Sequence, residues 1–544
     1  MSQAQQPSVR DADQFDYVIV GSGAAGSILA NRLSADGATV CVLEAGPPDN
    51  SPFLHIPAGF IKAVFNKKYA WQFSSEGTAQ TNGRRVPIPQ GRTLGGSTSI
   101  NGLVYNRGQA ADFDHWAALG NTGWSYEEVL PYFKSMERRA GGDDRYRGRR
   151  GELPVTDIDW IHPLCEAFIA GAVEQGIPRN PDYNGAEQAG VGYFQRTIDR
   201  GWRMSTAKCF LKPAMARKNL EVRTYAQATR ILFEGAKAVG VAYCHPAHPS
   251  QVRAVRARRE VIVSCGAINT PKLLQLSGLG PAELLRQHNI EVVRDLPGVG
   301  ENLSDHYSVR VVARVKNSQT MNQLVKGLSL AGQISRWLMK RPSIMALSPS
   351  LLHYFWKSTP ELTAPDLQGV FTPASYKEGY VGMLDDFPGM TAGVWQHRPE
   401  SRGQVRIRSA DPLQDPVILA NYLENEGDQR TLVRGIRLAR QLLRSQALSS
   451  YFDSEVLPGP LCESDSELLD FARRYGVSSY HVNGTARMGQ AGDKYAVVDP
   501  ELRVHGIQNL RVIDSSVMPA MPSANICAAT MMIGNKAADL IKQS

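Results

Sequence analysis

At 544 residues, 42% of them hydrophobic and 21% charged, the chain has a globular composition and exceeds what a single core usually fills, so two domains are expected. A net charge of +8 is mild for this length and argues against a nucleic-acid binder. The seven cysteines are scattered without a C-x-x-C pair, which argues against a disulfide framework or a metal site and for a reduced, cytoplasmic setting.

The first eleven residues are polar and read as a disordered tail. Tyr17 to Val20 is an apolar, β-branched run of the kind that fills a central parallel strand. It leads into Gly21-Ser22-Gly23-Ala24-Ala25-Gly26 and then a helical stretch from Ser27 to Ser34. In a G-x-G-x-x-G turn the first glycine allows the tight bend, the second lets a pyrophosphate approach the backbone, and the third lets helix pack on strand. The helix start then faces the phosphates with unpaired N–H groups. Thr39 to Leu43 is a second strand, ending in Glu44, 23 residues after Gly21. An acid there accepts from ribose hydroxyls and disfavours a 2′-phosphate, so NAD or FAD is expected over NADP.

The segment Leu54–Trp71 is aromatic-rich and reads as a lid or a fixed loop wall. Residues 92–102 are rich in small side chains, and Trp116 to Met136 is expected to be helical. Glu260 to Ser264 reads as another buried strand, followed by a helix from Lys272 to Ser277. From about 311 to 460 roughly alternating segments suggest an antiparallel sheet with flanking helices. One of these, Gln323–Lys340, is amphipathic and is expected to pack on its own sheet or cover a site, with a membrane surface as its second reading. Leu510 to Asp514 is a last buried strand before the C-terminal helix. No run is long and apolar enough to span a membrane. The Cys244, His245 and His248 group lacks a fourth ligand and reads as a loop, so no metal is expected.

These stretches resemble the glucose-methanol-choline (GMC) oxidoreductases over nearly the whole chain. The likeness rests on Gly91-Arg92-x-Leu94-Gly95-Gly96-Ser97-x-Ser99-Ile100-Asn101-Gly102, on Gly266-Ala267-x-x-Thr270-Pro271, and on His481-x-x-Gly484-Thr485 with Asn525. It looks nearest to the bacterial choline and alcohol dehydrogenase branch. The resemblance implies an α/β protein with a discontinuous Rossmann-type FAD-binding domain (12–160, 205–310 and 461–541). An α+β substrate domain on an antiparallel sheet (161–204 and 311–460) would be inserted in it. FAD would be held by Gly21 to Gly26, Glu44, Ala45, Arg92, Leu94, Gly95, Gly96, Ser99, Asn101, Gly102, Val104, Ala226, Asp514 and Asn525. Some members attach FAD through a histidine where this chain has Ile100, so the cofactor is expected to be dissociable. Two departures, Asn483 and Ile526-Cys527-Ala528-Ala529, lie beside the reacting centre and bear on substrate identity.

An alcohol becomes a good hydride donor once its hydroxyl proton is removed, and a histidine base suits neutral pH. His481 is that candidate, with the Asn525 amide as donor to the developing alkoxide. His306 is expected to be structural. Tyr480, Phe371 and Trp395 are candidate substrate contacts, although an aromatic on a strand is core by default. The expected activity is FAD-dependent oxidation of a primary alcohol to the aldehyde, as a dehydrogenase or an oxidase. The substrate is an aromatic, aliphatic or polyether alcohol, or else choline. A flavin lyase or decarboxylase, a non-catalytic flavin protein and a NAD-linked dehydrogenase are the competing readings. Electron acceptor (oxygen, quinone or electron-transfer protein) and oligomeric state stay open. The location is expected to be cytoplasmic, with weak association with the inner face of the membrane following from the second reading of the 323–340 helix.

Overall fold

The computed structural model describes residues 13–377 and 383–543. The tail expected over residues 1–11 lies outside them. Strand β1 (Asp13–Val20) and β2 (Val40–Leu43) pair in parallel, with Val20 opposite Leu43. Strand Leu220–Arg223 continues the sheet beyond β2, and His248–Val263 continues it beyond β1. Leu510–Val512 pairs in parallel with the end of His248–Val263. The first half of that long strand instead carries an antiparallel meander, Lys237–His245 and Gln227–Glu234. Five parallel strand ends therefore meet at one edge of a Rossmann-type sheet. At that edge Val20, Leu43, Val263 and Val512 are buried, and helix α1 (Ala24–Ser34) packs with the C-terminal helix Cys527–Gln543. At that crossing a side chain on Gly534 would lie 2.8 Å from the Ala25 Cα, so the two helices approach at backbone distance.

The second sheet is antiparallel, in the order Phe452–Leu457, Tyr307–Val315, Gly389–Gln396, Leu367–Thr372, Leu352–Trp356, Gly190–Tyr193. Strand Tyr307–Val315 spans the expected division at 310. Val477–Ser478, from the third nucleotide-binding piece, pairs with its start. Helix Glu426–Leu443 covers one face of this sheet. Among the alternating segments expected to form that sheet, residues 403–408 instead belong to a separate hairpin in which Gln404–Arg406 pairs with Val417–Leu419. The helix expected over 116–136 is two helices, Ala110–Ala118 and Tyr126–Met136, parted by a turn at Gly120 and Gly123. No helix among the described residues is long and apolar enough to cross a membrane.

Side chains on the three central strands of the second sheet alternate strictly. Val309, Val311, Phe371, Met390, Ala392 and Val394 are fully buried in its core. Their sequence neighbours Ser308, Arg310, Val370, Thr372, Thr391, Gly393 and Trp395 face the other way, into a cavity. This corrects one expectation. Phe371 is not a substrate contact: it stacks on Phe168 with ring centres 4.3 Å apart, on the helix side of the sheet. Phe371→Ala is expected to lower unfolding stability by about 3–5 kcal/mol, the usual loss for an emptied aromatic site. A denaturation midpoint equal to that of the unmodified protein would contradict this placement.

Candidate functional site

The turn after β1 is built by glycines for separate steric reasons. Gly21 has φ +99°, and a Cβ there would overlap the Ser264 carbonyl oxygen. A Cβ on Gly26 would overlap the Gly21 carbonyl oxygen. Gly23 differs, because a Cβ there meets no protein atom within 4 Å. It caps α1 without a side-chain hydrogen bond, so the first N–H groups of the helix stay open to the cavity. From the opposite side Gly96 comes so close that its Cβ would lie 2.8 Å from the Gly23 Cα. At the end of β2, Glu44 accepts from the Ser22 Oγ at 2.6 Å, the Ser22 N–H at 3.1 Å and the Gly46 N–H at 2.9 Å. Burial pushes its carboxyl up from the ordinary value. A cradle open at Gly23, with backbone donors and a ribose-facing acid, fits the pyrophosphate and adenosine of FAD.

The cavity has a volume of about 360 Å³. Gly21, Gly23, Ala24, Ala25, Glu44, Ala45 and Ala226 line the cradle, and Gly96, Asn101, Gly102 and Val104 line the stretch that follows. Asp514 also borders it, but its carboxylate already accepts from the Gly266 and Ser516 N–H groups and the Thr270 hydroxyl. Ser22, Gly26, Leu94, Gly95 and Ser99 stand behind the wall. The Gly95 N–H donates to the Ser22 carbonyl at 3.0 Å, and the Ser99 Oγ donates to the Leu94 carbonyl at 2.7 Å. Arg92 lies 4.4 Å over the Trp71 ring, which is itself in the wall. Ile100 lines the cavity where the resemblance allows a histidine.

The reacting end is organised by one chain of hydrogen bonds. His306 Nε2 is 2.7 Å from the His397 carbonyl oxygen, which can only accept, so His306 carries its proton there. Burial holds His306 down to about 4, so at neutral pH its Nδ1 is bare. That Nδ1 lies 2.9 Å from His481 Nδ1, and the proton between them must belong to His481. Burial, and then the nearby His306, holds His481 well below the usual histidine value, so it too is neutral. Its Nε2 is therefore an unprotonated base, 3.0 Å from the Asn525 amide nitrogen. Gln368 fixes the orientation of that amide by donating to the Asn525 Oδ1 at 3.0 Å. His481 and Asn525 thus converge on one point of the cavity wall. His306 and Gln368 were not in the candidate set, and neither touches the cavity. Gln368 is legible only through the register of its strand.

The loop carrying His481 is pinned from below. Asp305 accepts from the His481 N–H at 2.8 Å, the Tyr422 hydroxyl at 2.6 Å and the Ser478 hydroxyl. Tyr480 takes φ +65°, a conformation in which it lines the cavity beside Trp395, whose ring centre is 6.2 Å from that of His481. Asn483 turns away from the cavity: its amide donates to the Ser304 and His481 carbonyls. The departure at Asn483 therefore ties the loop down, whereas Ile526 and Cys527 do line the cavity. The remaining wall at this end includes Arg310, whose guanidinium lies 5.3 Å over the Tyr376 ring. No group of three His, Cys, Asp or Glu among the described residues is arranged to hold a metal.

The family model for GMC oxidoreductases matches this chain over residues 15–308 in its N-terminal part and 399–534 in its C-terminal part. The chain is 39% identical to the Pseudomonas putida protein named alcohol dehydrogenase [acceptor], over 97% of its own length and 95% of that protein. It is 40% identical to an oxygen-dependent choline dehydrogenase of Brucella anthropi, again over 97% and 95%. The crystal structure of pyridoxine 4-oxidase from Mesorbium loti superposes with a TM-score of 0.88 at 29% identity, covering 97% of this chain and 99% of that one. Cradle, cavity and convergent base lie where those motifs fall, and the chain belongs to the GMC oxidoreductases, FAD-dependent enzymes acting on CH–OH donors.

Proposed function

We propose that this enzyme oxidises an uncharged primary alcohol to the aldehyde, with His481 as the base and Asn525 as the donor that holds the alcohol oxygen. The observation that carries this reading is the bare His481 Nε2 facing the Asn525 amide at 3.0 Å in the cavity wall. An alcohol hydroxyl that displaces this contact would give its proton to Nε2 and accept from the amide. Bound FAD supplies the hydride acceptor; the Gly21–Gly26 turn, Glu44 and the Gly96–Val104 wall would hold it. With Ile100 in place of a nucleophile, the cofactor is dissociable. The two sheets support a division into FAD and substrate domains, with strand Tyr307–Val315 crossing the boundary at 310 and Val477–Ser478 joining the second sheet, and the seven free thiols suit a reducing, cytoplasmic compartment.

The charge of the wall favours an uncharged alcohol over choline. Glu44 and Asp514 are the carboxylates bordering the cavity among the described residues, and each already accepts three protein hydrogen bonds. Arg310 brings a guanidinium to the same wall and covers the Tyr376 ring face that a trimethylammonium group would seek.

The test is an anaerobic absorbance titration of the yellow enzyme with benzyl-type, aliphatic and polyether alcohols and with choline. An uncharged class should bleach the flavin band, with choline reacting at least about tenfold less efficiently (a difference of about 1.4 kcal/mol). Bleaching by choline alone would overturn the substrate reading, and admitting air afterwards reports whether oxygen accepts the electrons. In single-turnover reduction by the best alcohol, His481→Ala should retain FAD and be slowed by several orders of magnitude. Asn525→Ala should lose about 10²–10³-fold, the typical effect of removing one oxyanion donor. A near-normal His481→Ala rate would remove the base assignment.

A further inference from the structure

We propose that the surface built on the helix Gly327–Leu338 docks on an anionic lipid bilayer. The helix is amphipathic, but its apolar outer face does not pack on the protein. None of its residues is buried, and Leu328 is 93% exposed, Leu338 68%, and the adjoining Met339 54%. Leu328, Ala331, Leu338 and Met339 share one side of the helix by their spacing, and all four are exposed. The other side is anchored. The Trp337 Nε1 donates to the Gly201 carbonyl at 2.9 Å, and its ring meets Trp202 edge-on at 4.7 Å. The Ser343 hydroxyl donates to the Gln333 carbonyl at 2.7 Å. The helix is thus held in place with its apolar side outward, the reverse of a helix that covers its own core.

The charge around it selects the partner. Residues 316–360 contain six Lys or Arg and no Asp or Glu. Lys326, Arg336, Lys340 and Arg341 are exposed at the two ends of the helix, and none forms an ion pair among the described residues. Exposed Trp202 and Phe53 extend the patch, since Pro52–His55 packs against Trp202–Arg203, and Lys208 lies 5.8 Å over the Trp202 ring. Leucines and tryptophan rimmed by cations fit an interface of acyl chains and anionic headgroups better than a protein surface, which would need matching acids. The patch also adjoins the cavity. Ile344–Ala346 packs against Pro57–Gly59, and the wall residues Phe60 and Val64 on one side and Pro349 and Ser350 on the other follow directly in sequence.

The test is sedimentation of the FAD-loaded enzyme with vesicles, read by flavin absorbance in pellet and supernatant. At low salt the enzyme should pellet with phosphatidylcholine–phosphatidylglycerol vesicles, pellet less with phosphatidylcholine alone, and be partly released by 0.5 M salt, at which charge attraction is screened (Debye length about 4–5 Å). Leu328→Asp with Leu338→Asp should weaken vesicle binding by roughly tenfold or more while anaerobic bleaching by alcohol stays unchanged, because neither residue borders the cavity. The proposal falls if the enzyme stays in the supernatant with anionic vesicles at low salt, or if the double variant pellets equally well. It falls as well if light scattering shows a dimer that the double variant breaks while vesicles are not bound, since the face is then a contact between two copies.

Discussion

The hydrogen bond between His306 and His481 ties the loop that carries the base to the start of strand Tyr307–Val315, and the chemistry of the site depends on it. His306 sits at the start of strand Tyr307–Val315 in the antiparallel sheet, while His481 follows Val477–Ser478, the short strand paired with that same start. Because the His397 carbonyl accepts from Nε2–H, the single ring N–H of neutral His306, the contact through Nδ1 sets which nitrogen of His481 is bare. A base placed by backbone pairing needs little further ordering when substrate arrives. Asp305, directly before His306, holds the His481 backbone, so base position and base tautomer are set by adjacent residues.

The composition of the cavity follows from the two different sheets that border it. The parallel sheet ends in glycine turns because backbone must pass backbone there, at Gly21 beside Ser264 and at Gly96 beside Gly23. The antiparallel sheet contributes every second residue of its strands, so its contribution is a mixture of Ser308, Arg310, Thr372, Thr391 and Trp395 rather than one contiguous motif. One half of the site is therefore compact in the sequence and the other half is dispersed.

That difference decides what could be read from the sequence. The cradle was legible because its glycines and Glu44 form one local βαβ unit with a fixed spacing. The pair His481 and Asn525 became visible through the resemblance. Phe371 was misplaced by one residue: strand and cavity were expected correctly, but the alternation phase that turns Val370 and Thr372 inward depends on pairing with Gly389–Gln396. His306 looked structural because its role comes from a contact 175 residues away in the chain. The 323–340 helix was expected to pack on its own sheet or cover a site; periodicity reports that a helix is amphipathic and cannot report which side the apolar face takes.

The central claim is that a neutral, correctly oriented histidine waits in the cavity. Its most direct measurement is the rate of anaerobic flavin reduction by saturating alcohol as a function of pH. A histidine whose charged form is disfavoured by burial accepts the proton at and above neutral pH and is lost as a base only when acid protonates it. The account therefore predicts a rate that is level from about pH 7 upward and falls only below the ordinary histidine value of about 6.5. A rate still climbing steeply between pH 7 and 9 would contradict it, since the base would then be a group that remains protonated at neutral pH.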